Sequence, residues 1–189
     1  MDISRPNLKI APTSLEGLLV IETKRFDDER GWLTESFNAQ DFACATGLDV
    51  NFVQDNHSFS KKNTLRGMHY QIQKPQGKLV RLVSGCIFDV VVDLRKNSST
   101  YGKWSGMQLN SENQQQIWIP SGCAHGFLVL SETAEFLYKT TDYYHPQSEV
   151  CLAWNDPVVG VHWPLASGGS PNLNAKDLAG LSWEEAPKF

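Results

Sequence analysis

Asn63-Thr-Leu-Arg-Gly-Met-His-Tyr-Gln71 decides how the rest of the chain is read. It holds one cation, Arg66, and one imidazole, His69. Gly67 between them gives the backbone local freedom, and apolar Leu65 and Met68 flank the pair. Gly77-Lys-Leu-Val-Arg81 follows and reads as the next strand. A base and several cations are therefore expected on one wall of a small barrel, with the downstream strands supplying the opposite wall.

Outward from that stretch the pattern is short strands and turns. Phe52-Val-Gln-Asp-Asn-His-Ser58 mixes apolar and amide side chains, as strands lining a polar pocket do. Leu79 to Val83, a Ser84-Gly85 turn and Cys86 to Leu94 read as a hairpin. In its second arm Phe88, Val90, Val92 and Leu94 share one face, and Ile87, Asp89, Val91 and Asp93 the other. Met107 to Leu109, Gln115 to Ile119, Gly126 to Leu130 and Glu135 to Thr141 continue the series. Upstream, residues 1–17 read as a lead-in and Leu18 to Ile21 as a strand. Asp27-Asp-Glu-Arg-Gly31 reads as a polar turn, and Trp32 to Phe37 as a strand. Asn38 is a good N-cap, Asp41 falls in the first turn of a short helix through Cys44, and Gly47 is placed to end it. Asn174-Ala-Lys-Asp-Leu178 has the form of a capped final turn of helix. Many short strands with few helices predict an all-β sandwich or barrel with a few short peripheral helices.

The 189 residues suit one domain with a real core, and a hydrophobic share of 41% is that of a globular chain. With 17 basic against 21 acidic residues and no basic run, nucleic acid is not an expected partner. Glu16 and Gly17 interrupt the apolar residues near the start, so no signal-peptide core forms, and no run reaches membrane-spanning length. Cys44, Cys86, Cys123 and Cys151 lie far apart with no CxxC pair, which reads as reduced thiols in a cytoplasm.

A lone histidine is often structural. His69, however, has Arg66 three residues before it and Lys78 nine after it in a mildly acidic chain. An anionic ligand is the simplest reason for that cluster. His125, in Ile117-Trp-Ile-Pro-Ser-Gly-Cys-Ala-His125, is either a turn residue held by a backbone hydrogen bond or a second imidazole facing the pocket. Tyr138 shares a strand face with Phe136 and Thr140. It is either a core tyrosine with a satisfied hydroxyl or a proton donor. Tyr143 and Tyr144 form an aromatic pair suited to stacking on a flat base or to covering the barrel rim. His69 is followed by Tyr70 and Gln71, so the His-x-His spacing of a metal-binding barrel is absent. His57, His125 and His145 do not cluster with it in sequence. No phosphate-cradling glycine loop, nucleophile elbow or dinucleotide fingerprint is present.

At these residues the chain resembles the dTDP-4-dehydrorhamnose 3,5-epimerases. The segments that carry the resemblance run in family order from about residue 26 to about residue 164. They are Asp28-Glu-Arg-Gly31 with Glu35 and Phe37, Phe52 to Ser58, Leu65 to Gln71, and Gln76-Gly-Lys-Leu-Val-Arg81. Phe88 to Arg95, Trp118-Ile-Pro120, Ala124-His-Gly-Phe127, Leu137-Tyr-Lys-Thr-Thr141 and Trp154-Asn-Asp-Pro157 complete the set. The resemblance implies a cupin-type jelly roll over residues 1–189, a site without metal or cofactor, and a homodimer. Residues 1–50 would carry N-terminal strands and a short helix, including a strand that pairs with the partner's sheet. The implied substrate is dTDP-4-keto-6-deoxy-D-glucose.

Carried over residue by residue, His69 resembles the base, Tyr138 the acid, Lys78 the cation beside the forming enolate, and Asp177 the carboxylate that orients the base. Arg30, Glu35, Gln54, Asn56, Arg66, His125, Glu149 and Lys176 resemble nucleotide-sugar contacts, and Tyr144 the stacker on thymine. The tail departs from the family. A Leu-Ser usually precedes the Lys-Asp pair, whereas this chain reads Leu173-Asn-Ala-Lys-Asp177 after a Gly168-Gly169 spacer. The residue types suit the implied chemistry. A ketone at C4 acidifies the hydrogens on C3 and C5, so one base and one acid on opposite ring faces invert a centre through an enolate. Inversion at only one carbon or on another nucleotide sugar, a cupin that binds a nucleotide sugar without turnover, and a metal-dependent cupin remain the competing readings.

Overall fold

The computed structural model describes residues 7–166 and 169–189. The first six residues of the lead-in and Gly168 of the spacer lie outside them. In chain order the elements are β1 (Leu8–Pro12), β2 (Leu19–Thr23), β3 (Arg25–Asp28), β4 (Gly31–Thr34) and α1 (Ala39–Thr46). There follow β5 (Gln54–Lys61), β6 (Leu65–Gln71), β7 (Lys78–Ser84), β8 (Cys86–Asp93) and β9 (Trp104–Asn110). The last are β10 (Gln115–Ile119), β11 (Cys123–Val129), β12 (Thr133–Thr140), β13 (Glu149–Cys151) and α2 (Ala175–Leu178).

These strands make a jelly roll of two facing sheets. One has six strands in the order β1-β2-β10-β7-β12-β5, the other five in the order β13-β6-β11-β8-β9, and β3 pairs only with β4. Between the sheets lies the main core. Val80, Leu82, Ile117, Ile119, Ala134 and Phe136 from the first sheet meet Ile87, Val91, Leu109, Phe127 and Val129 from the second. The alternation along β8 has a use on both faces. Ile87 and Val91 enter that core, whereas Val90, Val92 and Leu94 pack outward against Leu152, Val159, Trp183 and Phe189 of the C-terminal tail. A strand covered on both faces reads as a nearly continuous apolar run, as Val90-Val-Val92 does.

Four expectations are corrected. The Ser84-Gly85 link is not a hairpin turn. β7 pairs with β10 and β12, β8 pairs with β11 and β9, and the link is a corner between the sheets. A hairpin and a corner leave the same local signature, and only long-range pairing separates them. Lys78 consequently sits on the sheet opposite His69, so the cations do not share one wall. Finally, the lead-in contains an edge strand, β1, and Asp27 and Asp28 belong to β3 rather than to a turn.

The helix expected after Asn38 is present. The Asn38 side chain accepts hydrogen bonds from the Gln40 and Asp41 backbone N–H groups, and Gly47 closes the helix at φ 71° in the left-handed region. Buried Phe42 anchors the helix to Phe52 and Trp118 on the outer face of the six-stranded sheet.

β6 carries an irregularity that the site depends on. Its register against β11 shifts between His125, opposite His69, and Phe127, opposite Arg66. Three residue steps on β6 thus oppose two on β11, a bulge. Strict alternation would send Arg66 and His69 to opposite faces; the bulge turns both toward the cleft. Gly67 makes it possible. Its φ is 128°, and a Cβ there would lie 2.5 Å from Gly126 Cα and 2.8 Å from His125 O. Gly67→Ala is expected to lower the unfolding free energy by about 2–4 kcal/mol, read as a fall in the urea midpoint, with loss of any ligand binding in the cleft.

Candidate active site

At one end of the barrel a cleft of about 210 Å³ opens between the sheets. Arg66 and His69 from β6, His125 from β11 and Glu149 from β13 face it from the five-stranded sheet, and Lys78 from β7 and Tyr138 from β12 from the six-stranded sheet. Tyr144 stands at its rim. Imidazole and phenol therefore address one cavity from opposite walls.

Behind His69 lies Asp177, only 1% exposed. His69 Nε2 and Asp177 Oδ1 are 2.6 Å apart. This leaves Nδ1 as the ring nitrogen free of protein. A buried carboxylate at one ring nitrogen fixes the tautomer and holds the proton on that side. Cys151 is also near: one ligand-type atom from each of His69, Cys151 and Asp177 lies within 4.8 Å of the others. Two of those atoms are engaged with each other, and the Cys151 thiol donates toward Gly67 O at 3.6 Å. Such a trio, assembled from three distant segments, has no signature in sequence spacing.

Lys78 is buried, and its Nζ donates to His69 O at 3.4 Å. Burial pushes its pKa down to about 8, and the Asp89 and Glu149 carboxylates hold it from falling further. Asp89 is completely buried. One of its oxygens sits 2.9 Å from His125 Nε2, and the other is the one buried side-chain polar atom without a partner among the described residues. His125 is thus a buried imidazole with a carboxylate partner, not a turn residue. Asp89 escaped the sequence reading because it looked like one polar residue in an apolar strand; its alternation with Ile87 and Val91 was the available signal. Burial raises the Tyr138 phenol, and the Glu149 charge adds to that. Its hydroxyl therefore stays protonated throughout the neutral range.

A second chain of contacts runs along the rim. Lys176 pairs with Glu149, and Tyr144 OH donates to Glu149 at 2.6 Å. Burial would raise the Glu149 carboxyl, but those two partners outweigh it and hold the group below its ordinary value. The Gln54 side-chain carbonyl accepts from Tyr144 N at 3.0 Å, and its amide donates to Asn56 at 2.9 Å. Arg66 is steadied by Ser60 Oγ and Phe59 O. Of the predicted site residues, Gln54 and Asn56 do not line the cleft itself, Asn56 facing a neighbouring hollow, and Arg30 and Glu35 are not brought near it within the chain. Arg30 is exposed and paired with Asp28, and Glu35 is exposed just after β4. Gln71, Gln76, Phe127 and Phe136 also line the cleft, and sequence reasoning did not select them.

A jelly roll that holds an imidazole, a phenol and a buried ammonium around one cleft is a cupin-type fold with a site equipped for proton transfer. Known proteins narrow the class. A family model described as dTDP-4-dehydrorhamnose 3,5-epimerase matches residues 12–185. The chain is 49% identical over 182 residues to the dTDP-4-dehydrorhamnose 3,5-epimerase of Pseudomonas aeruginosa, covering 96% of this chain and 99% of that one. It is 51% identical over 178 residues to the Salmonella typhimurium enzyme of the same name, covering 94% and 96%. A dTDP-6-deoxy-D-glucose-3,5-epimerase from Legionella pneumophila Philadelphia 1, solved in complex with dTDP-4-keto-L-rhamnose, superposes with a TM-score of 0.91 at 46% identity, covering 95% of each chain. The chain belongs to the dTDP-4-dehydrorhamnose 3,5-epimerase family. No helix among the described residues is long and apolar enough to cross a membrane.

The charge arrangement around Lys78 is open to direct measurement. Asp89→Asn removes the largest influence that keeps this ammonium charged. The Lys78 pKa, followed through its 13Cε chemical shift, is expected at about 8 in the native protein and clearly lower in the variant.

Proposed function

We propose that the chain inverts C3 and C5 of dTDP-4-keto-6-deoxy-D-glucose to give dTDP-4-keto-L-rhamnose, with His69 as base and Tyr138 as acid. The observation that carries this reading is the facing of His69, backed by Asp177 at 2.6 Å, and Tyr138 across one cleft. His69 Nδ1 takes a proton from the carbon next to the C4 ketone. Negative charge moves to O4, where the Lys78 ammonium meets it as it forms, so the interaction is stronger in the transition state than in the ground state. Tyr138 returns a proton from the other face, and the centre is inverted. Asp177 stabilises the imidazolium between the two transfers.

The rim suits a nucleotide. Tyr144 is half exposed, with its hydroxyl anchored by Glu149, so its ring is set to stack on thymine. Gln54, Asn56, Arg66, His125, Glu149 and Lys176 offer the polar contacts. Arg30 and Glu35 fit this scheme in a homodimer. Arg30 sits in the turn, and Glu35 just past the end, of an exposed hairpin that pairs with neither main sheet among the described residues and carries Phe26, Trp32 and Leu33 at the surface. Such a hairpin buries its apolar side chains by reaching into a second copy. One domain spans the chain, in keeping with the family match over residues 12–185. Four unpaired cysteines support a reducing cytoplasm.

Incubation with dTDP-4-keto-6-deoxyglucose in heavy water, followed by proton NMR, tests the reading. Deuterium is expected at both C3 and C5; label at one carbon alone would make the protein a mono-epimerase. His69→Ala and Tyr138→Phe are each expected to lower kcat about 10²–10⁴-fold with the fold retained, and full activity in either would remove that residue from the chemistry. The pH dependence has a definite sign. The Lys78 ammonium is lost as pH rises through about 8, so kcat is expected to decline on that side.

A further inference from the structure

The carboxylate behind His69 stands on a very small support. α2 has four residues, Ala175–Leu178. A single helical turn gains almost nothing from its own backbone, because the cost of fixing the first turn is not recovered by propagation. Its order comes from outside. Upstream, Asn172 bridges to Thr64, accepting from Leu65 N at 3.0 Å and donating its own N–H to Asn63 O at 2.7 Å. Downstream, Leu181 N donates to Cys151 O at 2.8 Å, and Ala153 N donates to Leu181 O at 2.7 Å. Between these pins Lys176 pairs with Glu149, and one further side chain caps the turn from within. Asn174 Oδ1 accepts from Asp177 N at 2.8 Å. The residue whose backbone is held is the residue whose carboxylate meets His69 Nε2 at 2.6 Å and receives Gly67 N at 3.4 Å.

We propose that Asn174 is a positioning residue for proton transfer: by capping α2 through Asp177 N, it aims the Asp177 carboxylate at His69. This rests on the assignment of His69 as the base. Asn174 is exposed and does not line the cleft, so it touches neither the base nor any group bound there. Its action on His69 passes through Asp177, and the pairing of Lys176 with Glu149 on the same turn is separated from it by the Asp177→Asn background below. Without the cap, Asp177 N loses its acceptor, the turn gains access to unwound conformers, and the carboxylate is aimed correctly for only part of the time. Serine can make the same bond, because its hydroxyl oxygen is as good a cap acceptor as the asparagine carbonyl; alanine cannot.

The test uses the full-length protein and two readouts. The first is the low-field proton of the His69–Asp177 bond in the NMR spectrum, identified by its disappearance in Asp177→Asn. In Asn174→Ala this resonance is expected to broaden or vanish, and in Asn174→Ser to return. The second is kcat on dTDP-4-keto-6-deoxyglucose. Asn174→Ala is expected to lower it by up to about fivefold, the full factor by which a typical lost cap shifts the turn's own equilibrium, with Asn174→Ser restoring it. In an Asp177→Asn background the same alanine change is expected to cost nothing further. A sharp, unshifted ring proton in Asn174→Ala would overturn the proposal, as would an equal loss of kcat in both backgrounds. Should Asn174→Ala fail to fold, Asn174→Gly, which keeps a compatible cap backbone but leaves Asp177 N without a side-chain acceptor, is read by the ring proton alone: broadening supports the proposal and a sharp, unshifted resonance overturns it. If the unmodified protein does not turn over this sugar, the functional reading fails while the ring proton still decides the role of Asn174.

Discussion

Two glycines without side chains hold the site in register. Gly67 and Gly126 face each other where β6 bulges against β11, so closely that no Cβ fits between them. This contact sets which way each following side chain points. On one side of it Arg66 turns into the cleft, on the other His69 does, and His125 lies directly opposite His69 in the ladder. A bulge of this kind re-aims side chains without lengthening a strand. Here it converts a spacing of three, which a regular strand would split between two faces, into a pair on one face.

Around this geometry the buried charges are arranged in opposed sets. Lys78 is drawn down by burial and held up by Asp89 and Glu149. Glu149 is in turn held ionised by Lys176 and Tyr144. Asp177 and Asp89 each stand behind an imidazole, on β6 and β11 respectively. A buried charge is tolerable where its partners are fixed, and these partners come from both sheets and the C-terminal tail. The cleft therefore holds its ionic state only when the two sheets and the tail are assembled together.

Much of this was legible in the chain itself. The short alternating strands, the Asn38 and Gly47 caps of α1 and the Asn174 cap of α2 are local signals, and local physics decides them. The residues of the cleft were legible mainly through the family resemblance of their segments. What the sequence hid depends on long-range pairing. The Ser84-Gly85 corner looks like a hairpin because both need a glycine at a sharp bend. Lys78 looks like a wall-mate of His69 because nine residues separate them, yet it reaches His69 O from the opposite sheet. Asp89 looks like a strand polar residue because its partner, His125, is 36 positions away. Arg30 and Glu35 were named with the site, and the fold leaves them on an outlying hairpin because β3 and β4 pair only with each other.

The imidazole and the carboxylate it leans on are 108 residues apart in the chain. His69 belongs to an early barrel strand, whereas Asp177 arrives on a tail segment that docks beside Thr64 and Leu152. The histidine therefore meets its carboxylate only where the segment between Asn172 and Leu181 is docked against Thr64 and Leu152. Loosening of residues 172–181 would part that pair while leaving both sheets intact, so the carboxylate behind the ring is only as secure as those few backbone bonds.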